Sequence, residues 1–306
     1  MQAEQTVSLP PRPERGGFTE TLMNINQRHY SFEFFPPKTP EGVNKLREVR
    51  TQLAALQPNF FSVTYGAGGS TRDASLATVL DVSAAGLAVA PHLSCIGATR
   101  DSIREVLVEY QQNAIHHIIA LRGDLPSGMA STGEFRYASD LISFIRAETG
   151  DWFNIAVAVY PEVHPQARSA TEDLQHFKTK VGAGANVAIT QYFFNADAYF
   201  AFVDDCTRLR IAVSIIPGIM PVSNYAQLAR FSEACGAEIP RWMRKKLEDY
   251  HDDLDSIRAF GLDIITDMCA RLLDQGAPGL HMYTMNQSSA TLALWQRLGL
   301  SPANQI

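Results

Sequence analysis

The stretch Ser31-Phe32-Glu33-Phe34-Phe35-Pro36-Pro37-Lys38-Thr39-Pro40-Glu41 decides how the rest of the chain is read. Phe32 and Phe34 alternate with Ser31 and Glu33, and the run stops at two prolines, as strands do. Thr39-Pro40-Glu41 then opens a helical pattern that continues to Leu56. Thr39 is suited to cap it, and Pro40 suits a first turn, where an N–H is not needed. A strand followed at once by a helix is one βα unit, and the alternation recurs. Apolar runs at Asn59-Tyr65, Ala88-Cys95, His116-Arg122, Asn154-Tyr160, Asn186-Phe193, Ala212-Gly218 and Gly279-Met285 read as strands. Helical patterns at Thr71-Ala85, Thr99-Asn113, Tyr137-Thr149, Ser169-Gly182, Ala196-Arg208, Ser223-Cys235, Asp253-Gln275 and Ser288-Leu298 follow them. Eight strands alternating with helices predict an α/β fold, a (β/α)8 TIM barrel. The last interval is much longer than the others, so an extra helical segment within Ile239-Gln275 is expected before the final strand. The alternative, an open doubly wound sheet, would need a smaller second module, and no linker or shift in composition marks one. Residues 1–20 read as a flexible arm and residues 21–306 as a single domain.

Composition limits the function classes. Hydrophobic residues are 46% and charged residues 19% of the 306, which excludes global disorder. The net charge of -6 argues against a chain whose main task is to hold a nucleic-acid backbone or an anionic membrane, though not against one local cationic pocket. No apolar run approaches the ~18 residues of a membrane helix, and the polar N-terminus lacks the apolar segment of a signal peptide. Cys95, Cys206, Cys235 and Cys269 form no C-x-x-C pair and read as reduced, buried thiols. A cytoplasmic protein is expected.

Barrel strands point alternate residues to the axis and to the helices. Glu33 therefore lies opposite Phe32 and Phe34. Ser62 and Thr64 oppose Phe61 and Val63; Arg122 and Asp124 oppose Ile119 and Leu121. Ala156, Ala158 and Tyr160 oppose Ile155, Val157 and Val159; His281 and Tyr283 oppose Met282. The polar members fall late in their strands, toward the C-terminal mouth where such barrels build sites. Glu33 is the exception, mid-strand among aromatics. It is either an acid of raised pKa at a site or a carboxylate paired with a nearby arginine, because a bare buried charge is costly.

Several loops carry candidate chemistry. Tyr65-Gly66-Ala67-Gly68-Gly69-Ser70-Thr71 is either a plain βα turn or a backbone that approaches a ligand closely. Arg122-Gly123-Asp124 is either a structural ion pair or a phosphate site. In Tyr160-Pro161-Glu162-Val163-His164-Pro165 two prolines fix Tyr160 and His164, and His164 could be structural. Asp173 and Lys180 are seven apart, roughly on one helix face, as a solvated surface pair would be. Gln191, amid Tyr192, Phe193 and Phe194, suits a planar polar ligand. The run Arg241, Arg244, Lys245, Lys246 is balanced by the acids after it and reads as a solvated helix. His116 and His117 point to opposite faces of one strand and cannot chelate one metal, so no metal is expected.

Eight segments in register closely resemble the bacterial methylenetetrahydrofolate reductases. They are Ser31-Phe32-Glu33-Phe34-Phe35-Pro36-Pro37-Lys38, Phe61 through Thr71, Pro91-His92-Leu93-Ser94-Cys95, Ala120-Leu121-Arg122-Gly123-Asp124, Tyr160 through Pro165, Thr190-Gln191-Tyr192-Phe193-Phe194, Pro217-Gly218-Ile219-Met220-Pro221 and Tyr283-Thr284-Met285-Asn286. The resemblance runs from about Tyr30 to Gly299. It implies an FAD-dependent oxidoreductase of one-carbon metabolism that passes hydride from NADH or NADPH through the flavin to 5,10-methylenetetrahydrofolate by a ping-pong route. Glu33 matches the family's general acid, which protonates N10 of the folate, and Asp124 its carboxylate near flavin and pterin. Gln191, Gln227, Phe231, Tyr283 and Gln287 match substrate-binding positions. FAD would be held by Thr64, Tyr65, Ala67, His92, Arg122, Gly123, Asp124, Ala138, Tyr160, His164, Ala167, Asp173, His176 and Lys180. The resemblance also implies a homo-oligomer. The chain departs from relatives that carry an arginine where Gln287 stands, and an asparagine and an arginine where His176 and Thr179 stand. The alternatives are a barrel that senses folate or flavin without turnover, and a flavin barrel acting on another ring.

Overall fold

The computed structural model describes residues 28–65, 72–123 and 133–300. Arm 1–20, Ala67, Asp124 and most of the glycine run lie outside them. The strands are β1 (His29–Phe34), β2 (Phe60–Val63), β3 (Val89–Ser94), β4 (His117–Leu121), β5 (Asn154–Val159), β6 (Val187–Thr190), β7 (Ser214–Ile216), β8 (Gly218–Ile219) and β9 (Gly279–Tyr283). All pair in parallel in the order β7-β6-β5-β4-β3-β2-β1-β9-β8. The expected TIM barrel is present. It closes through the chain itself, because β7 and β8 are the two halves of the predicted seventh strand, separated by Pro217.

That break has a local cause. Proline has no N–H to give a ladder and favours a bend. The lower half pairs with β6 and the upper half with β9. Pro217 still contributes its carbonyl, which accepts from the His281 N–H at 2.9 Å. Gly218 can follow because it lacks a side chain: a Cβ there would fall 2.1 Å from the Thr190 carbonyl oxygen.

Ten helices are described: α1 (Pro40–Ala54), α2 (Arg72–Ala84), α3 (Arg100–Gln112), α4 (Ala138–Thr149), α5 (Ala170–Gly182), α6 (Ala196–Arg208), α7 (Tyr225–Cys235), α8 (Arg241–Asp249), α9 (Leu254–Asp274) and α10 (Ser289–Arg297). Thr39 caps α1 as expected, its Oγ1 accepting from the Gly42 N–H at 3.1 Å. Helices α8 and α9 fill the long final interval. No helix among the described residues is long and apolar enough to cross a membrane.

Strand parity divides the core in two. Phe60, Ala90, Ile119, Ala156, Val187, Ile189 and Ile216 form one buried cluster contributed by β2 to β7, a plug inside the barrel. Phe32, Phe34, Phe61, Val63, Ile118, Ile155 and Val157 belong to the larger cluster beneath the helices. The fourth strand corrects the parity reading. Ile119 and Leu121 belong with the interior plug, so they face the axis. Apolar residues fill the floor of a barrel as well as its jacket, and parity alone does not say which face is which.

Candidate active site

Glu33 lies near the end of β1, in register with Ser62 of β2 and Tyr283 of β9. Alternation turns its carboxylate to the axis above the plug, where its side chain is 15% exposed. Oε2 is 3.1 Å from Nε2 of His92 and 3.5 Å from Nε2 of His281, and accepts from Ser62 Oγ at 3.3 Å. Both imidazole nitrogens stand beside the carboxylate but off the axis of a well-formed hydrogen bond. The Thr284 hydroxyl donates to the Glu33 carbonyl at 2.6 Å and fixes the strand end.

The expectation of a raised pKa for Glu33 is corrected. Burial pushes the carboxyl up, but the charge of His92 and the contacts from His281 and His92 together outweigh it and hold the group at about 2. Its partners are imidazoles rather than the arginine of the other reading. Sequence alone does not show this, since the approach depends on the register of β1 against β9 and on β3 lying two strands away. His281 and Ser31, which pair at 2.7 Å through Nδ1 and Oγ, were not singled out as site residues.

Around this carboxylate the mouth is built from strand ends. Gln191 follows β6, half-buried, with its side-chain oxygen accepting from the Tyr192 N–H at 2.9 Å. The Tyr283 hydroxyl donates to the Thr190 carbonyl at 2.8 Å, and burial pushes its pKa well up. Gln227 and Phe231 are both half-buried on α7, four residues apart and hence on one face. Gln287 is exposed in the turn after β9. The preceding Asn286 ties that turn to β1, donating to the Phe35 carbonyl at 2.8 Å and accepting from its N–H at 3.0 Å.

A second feature adjoins the ends of β4 and β5. Arg122, Ala138, His164, Ala167, Asp173, His176 and Lys180 line one cavity of about 480 Å³, together with Tyr137, Gln166, Arg168 and Thr179. Most of the described residues that the resemblance assigns to FAD thus converge. Arg122 bonds Gln166 through its guanidinium. Gly123 takes φ +82°, a conformation that favours glycine, and a Cβ would fall 1.9 Å from Ser94 Oγ. Asp173 accepts from the His164 N–H at 2.8 Å, and Nδ1 of His164 accepts from the Gln166 N–H at 3.0 Å, which places that ring's proton on Nε2. Tyr160 packs edge-on to His164 with ring centres 4.5 Å apart.

Lys180 is not the surface residue its spacing suggested. Its ammonium donates to the Ala158 carbonyl at 2.5 Å, and burial, partly offset by Asp173, lowers its pKa to about 8. A desolvated cation with one hydrogen bond is ready for an anion. Arg122, Arg168 and Lys180 supply positive charge, Asp173 an acceptor for hydroxyls, and Tyr137 stacked on His176 at 6.1 Å a planar surface. That donor set fits a dinucleotide with a pyrophosphate. Thr64 and Tyr65 lie apart from this cavity at the end of β2, and Tyr65 lines a smaller hollow of about 180 Å³ with Arg72 and Ser94.

Fold and site define a (β/α)8 barrel with a buried carboxylate–imidazole cluster at its mouth and, near the ends of β4 and β5, a cleft of about 480 Å³ that carries Arg122, Arg168 and Lys180. Comparison with known proteins makes the identification narrower. The model of the methylenetetrahydrofolate reductase family matches residues 19–299, and the chain belongs to that family. It is 42% identical over 291 residues to 5,10-methylenetetrahydrofolate reductase of Escherichia coli K12, covering 94% of this chain and 97% of that protein. It is 38% identical over 291 residues to a probable methylenetetrahydrofolate reductase (NADH) of Oryza sativa, covering 90% of this chain but 49% of that longer protein. Among solved structures, a Clostridium thermocellum protein described as binding two copies of 5-methyl-5,6,7,8-tetrahydrofolic acid superposes with a TM-score of 0.65. It covers 94% of this chain and 98% of its own, and at 17% identity it speaks to the fold.

Proposed function

We propose that this chain is an FAD-dependent methylenetetrahydrofolate reductase that takes hydride from NADH or NADPH and converts 5,10-methylenetetrahydrofolate to 5-methyltetrahydrofolate by a ping-pong route. The observation that carries the reading is the Glu33 carboxylate, set between two imidazoles at the mouth of a barrel that shares 42% identity with the Escherichia coli enzyme.

The chemistry explains why a proton must be managed there. The methylene bridge accepts hydride only after its bond to N10 breaks, with the electron pair going to N10. Protonation of N10 drives that step and leaves an iminium at N5. Glu33, ionised at rest, takes up a proton and passes it to N10, and Ser62, His92 and His281 orient its carboxyl. Gln191 orients the pterin with its amide. Gln227 and Phe231 bind from α7, and Tyr283 forms a fixed wall because its hydroxyl is committed to Thr190. Gln287, neutral where relatives carry an arginine, leaves the folate's anionic tail to other contacts. Asp124, outside the described residues, would stabilise the cation developing on the folate.

Arg122 and Lys180 would hold the pyrophosphate, Asp173 the sugar hydroxyls, and Tyr137 with His176 a planar ring; Thr64, Tyr65, Ala67, His92, Gly123, Ala138, Tyr160, His164 and Ala167 complete the cofactor's contacts. Bound there, FAD supplies the two-electron carrier between nicotinamide and folate. Anaerobic titration tests the reading. The purified protein is yellow, NADH bleaches it, and methylenetetrahydrofolate restores the colour; bleaching without restoration would point to a flavin barrel acting on another substrate.

A further inference from the structure

His281 is among the most enclosed polar side chains of the protein, at 0% exposure, and nothing in the reading above uses its acid–base chemistry. Its two ring nitrogens are differently placed. Nδ1 lies 2.7 Å from Ser31 Oγ, and Nε2 lies 3.5 Å from Glu33 Oε2. A hydroxyl is the partner that suits a titrating ring, since it accepts from Nδ1–H and, after rotating, donates to a bare Nδ1. Ser31 can therefore satisfy Nδ1 of His281 in either charge state, while the buried Nε2, which makes no well-formed hydrogen bond, has the Glu33 carboxylate beside it as its exchange partner.

The surroundings leave one route for that proton. Among the described residues Glu33 is the only charged side chain in ion-pair contact with His281. From β9, Tyr283 packs edge-on at 5.2 Å with its hydroxyl committed to Thr190. From β2, Phe60 stacks at 6.2 Å, and behind it His117 of β4 is held at about 4 by burial and is uncharged near neutrality. From β8, Gly218 offers backbone alone. From β3, His92 approaches the same carboxylate oxygen, its Nε2 3.1 Å from Glu33 Oε2. Glu33, partly exposed, stands between His281 and the mouth.

We propose that His281, set by Ser31, is a positioning residue that stores the proton of the folate half-reaction and passes it through Glu33. This rests on the functional reading above. Between turnovers a proton from water reaches Glu33 and moves to Nε2. During reduction the Nε2–H bond breaks and Oε2 takes the proton. Glu33 then gives it to N10 as the N10–methylene bond breaks, and the methylene carbon takes the hydride to become the methyl group. His281 ends neutral, still donating from Nδ1 to Ser31. A store below the carboxylate keeps the proton away from water once substrate covers the mouth.

Two measurements test it. The first needs no turnover: imidazole 15N resonances of histidine-labelled protein, followed against pH. The His281 Nε2 resonance changes with pH differently in Glu33→Gln, because the group it exchanges its proton with is gone; an identical pH response in the two proteins overturns the proposal. The second is the folate half-reaction of His281→Gln by anaerobic stopped flow, with reduction by NADH as internal reference. The expected rate is about tenfold or more below wild type at pH 8, and the gap narrows as pH falls because Glu33 then takes protons from water directly. Ser31→Ala, a milder change should the first variant fold poorly, shows the same pH-dependent loss at smaller size. A loss constant across pH in both variants marks a structural role and overturns the inference. A wild-type protein that NADH bleaches and methylenetetrahydrofolate does not restore removes the underlying reading instead.

Discussion

Gly218 donates its N–H to Thr190 Oγ1 at 2.8 Å, and that bond carries the barrel wall across the break at Pro217. The same Thr190 offers its carbonyl to the Tyr283 hydroxyl, so β6, β8 and β9 meet at one residue. A Cβ at position 218 would fall 2.1 Å from the Thr190 carbonyl oxygen and 2.7 Å from the Tyr283 ring. Gly218→Ala is expected to destabilise the protein by about 3 kcal/mol through forced backbone movement. A thermal melt checks it; an unchanged Tm would mean that the seam yields freely.

Glu33 makes the stability depend on pH in a defined direction. Its carboxyl is held at about 2, below the ordinary 4.5. A depressed carboxylate contributes stability fully present above its unfolded value and lost as pH falls through the folded one. The wild type should lose on the order of a few kcal/mol between pH 5 and pH 2 from this group. Denaturant melts of Glu33→Gln should show a shallower acid limb, and parallel limbs would contradict the ionised state described for this carboxyl.

Lys180 should govern the cationic cleft. Its ammonium is desolvated and its pKa sits at about 8, so an anion is more strongly held below that pH than above it. Lys180→Met is expected to weaken FAD binding by about tenfold or more and to flatten the loss of affinity above pH 8. Titration of cofactor-stripped protein by flavin fluorescence reads both effects. Equal affinity in variant and wild type would remove Lys180 from the pyrophosphate site.

Asp124 carries an expectation that rests on family resemblance. Asp124→Asn should slow the folate half-reaction by about a hundredfold, since a fixed negative charge favours the developing cation. Rapid-mixing rates for each half-reaction separate this from a general loss, and an unchanged folate rate would count against the electrostatic role.

Much of this was legible in the residues. The alternation of Phe32-Glu33-Phe34, of Ala156 and Ala158 against Val157, and of His281 and Tyr283 against Met282 separates the two faces of each strand, because pleating is a local property. The cap at Thr39 and the extra helices after Ile239 are likewise written locally. The break at Pro217 had its signal in a Pro-Gly pair inside a predicted strand. The inward Ile119 had none, because floor and jacket of a barrel are equally apolar. The environment of Glu33 was out of reach for a different reason. Its neighbours come from β2, β3 and β9, and which side chains meet there is a matter of register and closure. Aromatic neighbours in sequence suggested a raised pKa; the imidazoles that lower it are 59 and 248 residues further along. Lys180 is a similar case, its burial set by the packing of α5 against the Ala158 carbonyl.

The central claim is that Glu33 delivers the proton that opens the folate's methylene bridge. Anaerobic stopped flow on Glu33→Gln, following bleaching by NADH and restoration by methylenetetrahydrofolate in separate mixing steps, tests it most directly. The account predicts bleaching within a few-fold of the wild-type rate and restoration slowed about a thousandfold or more. Restoration at the wild-type rate, or loss of both steps together, would contradict it.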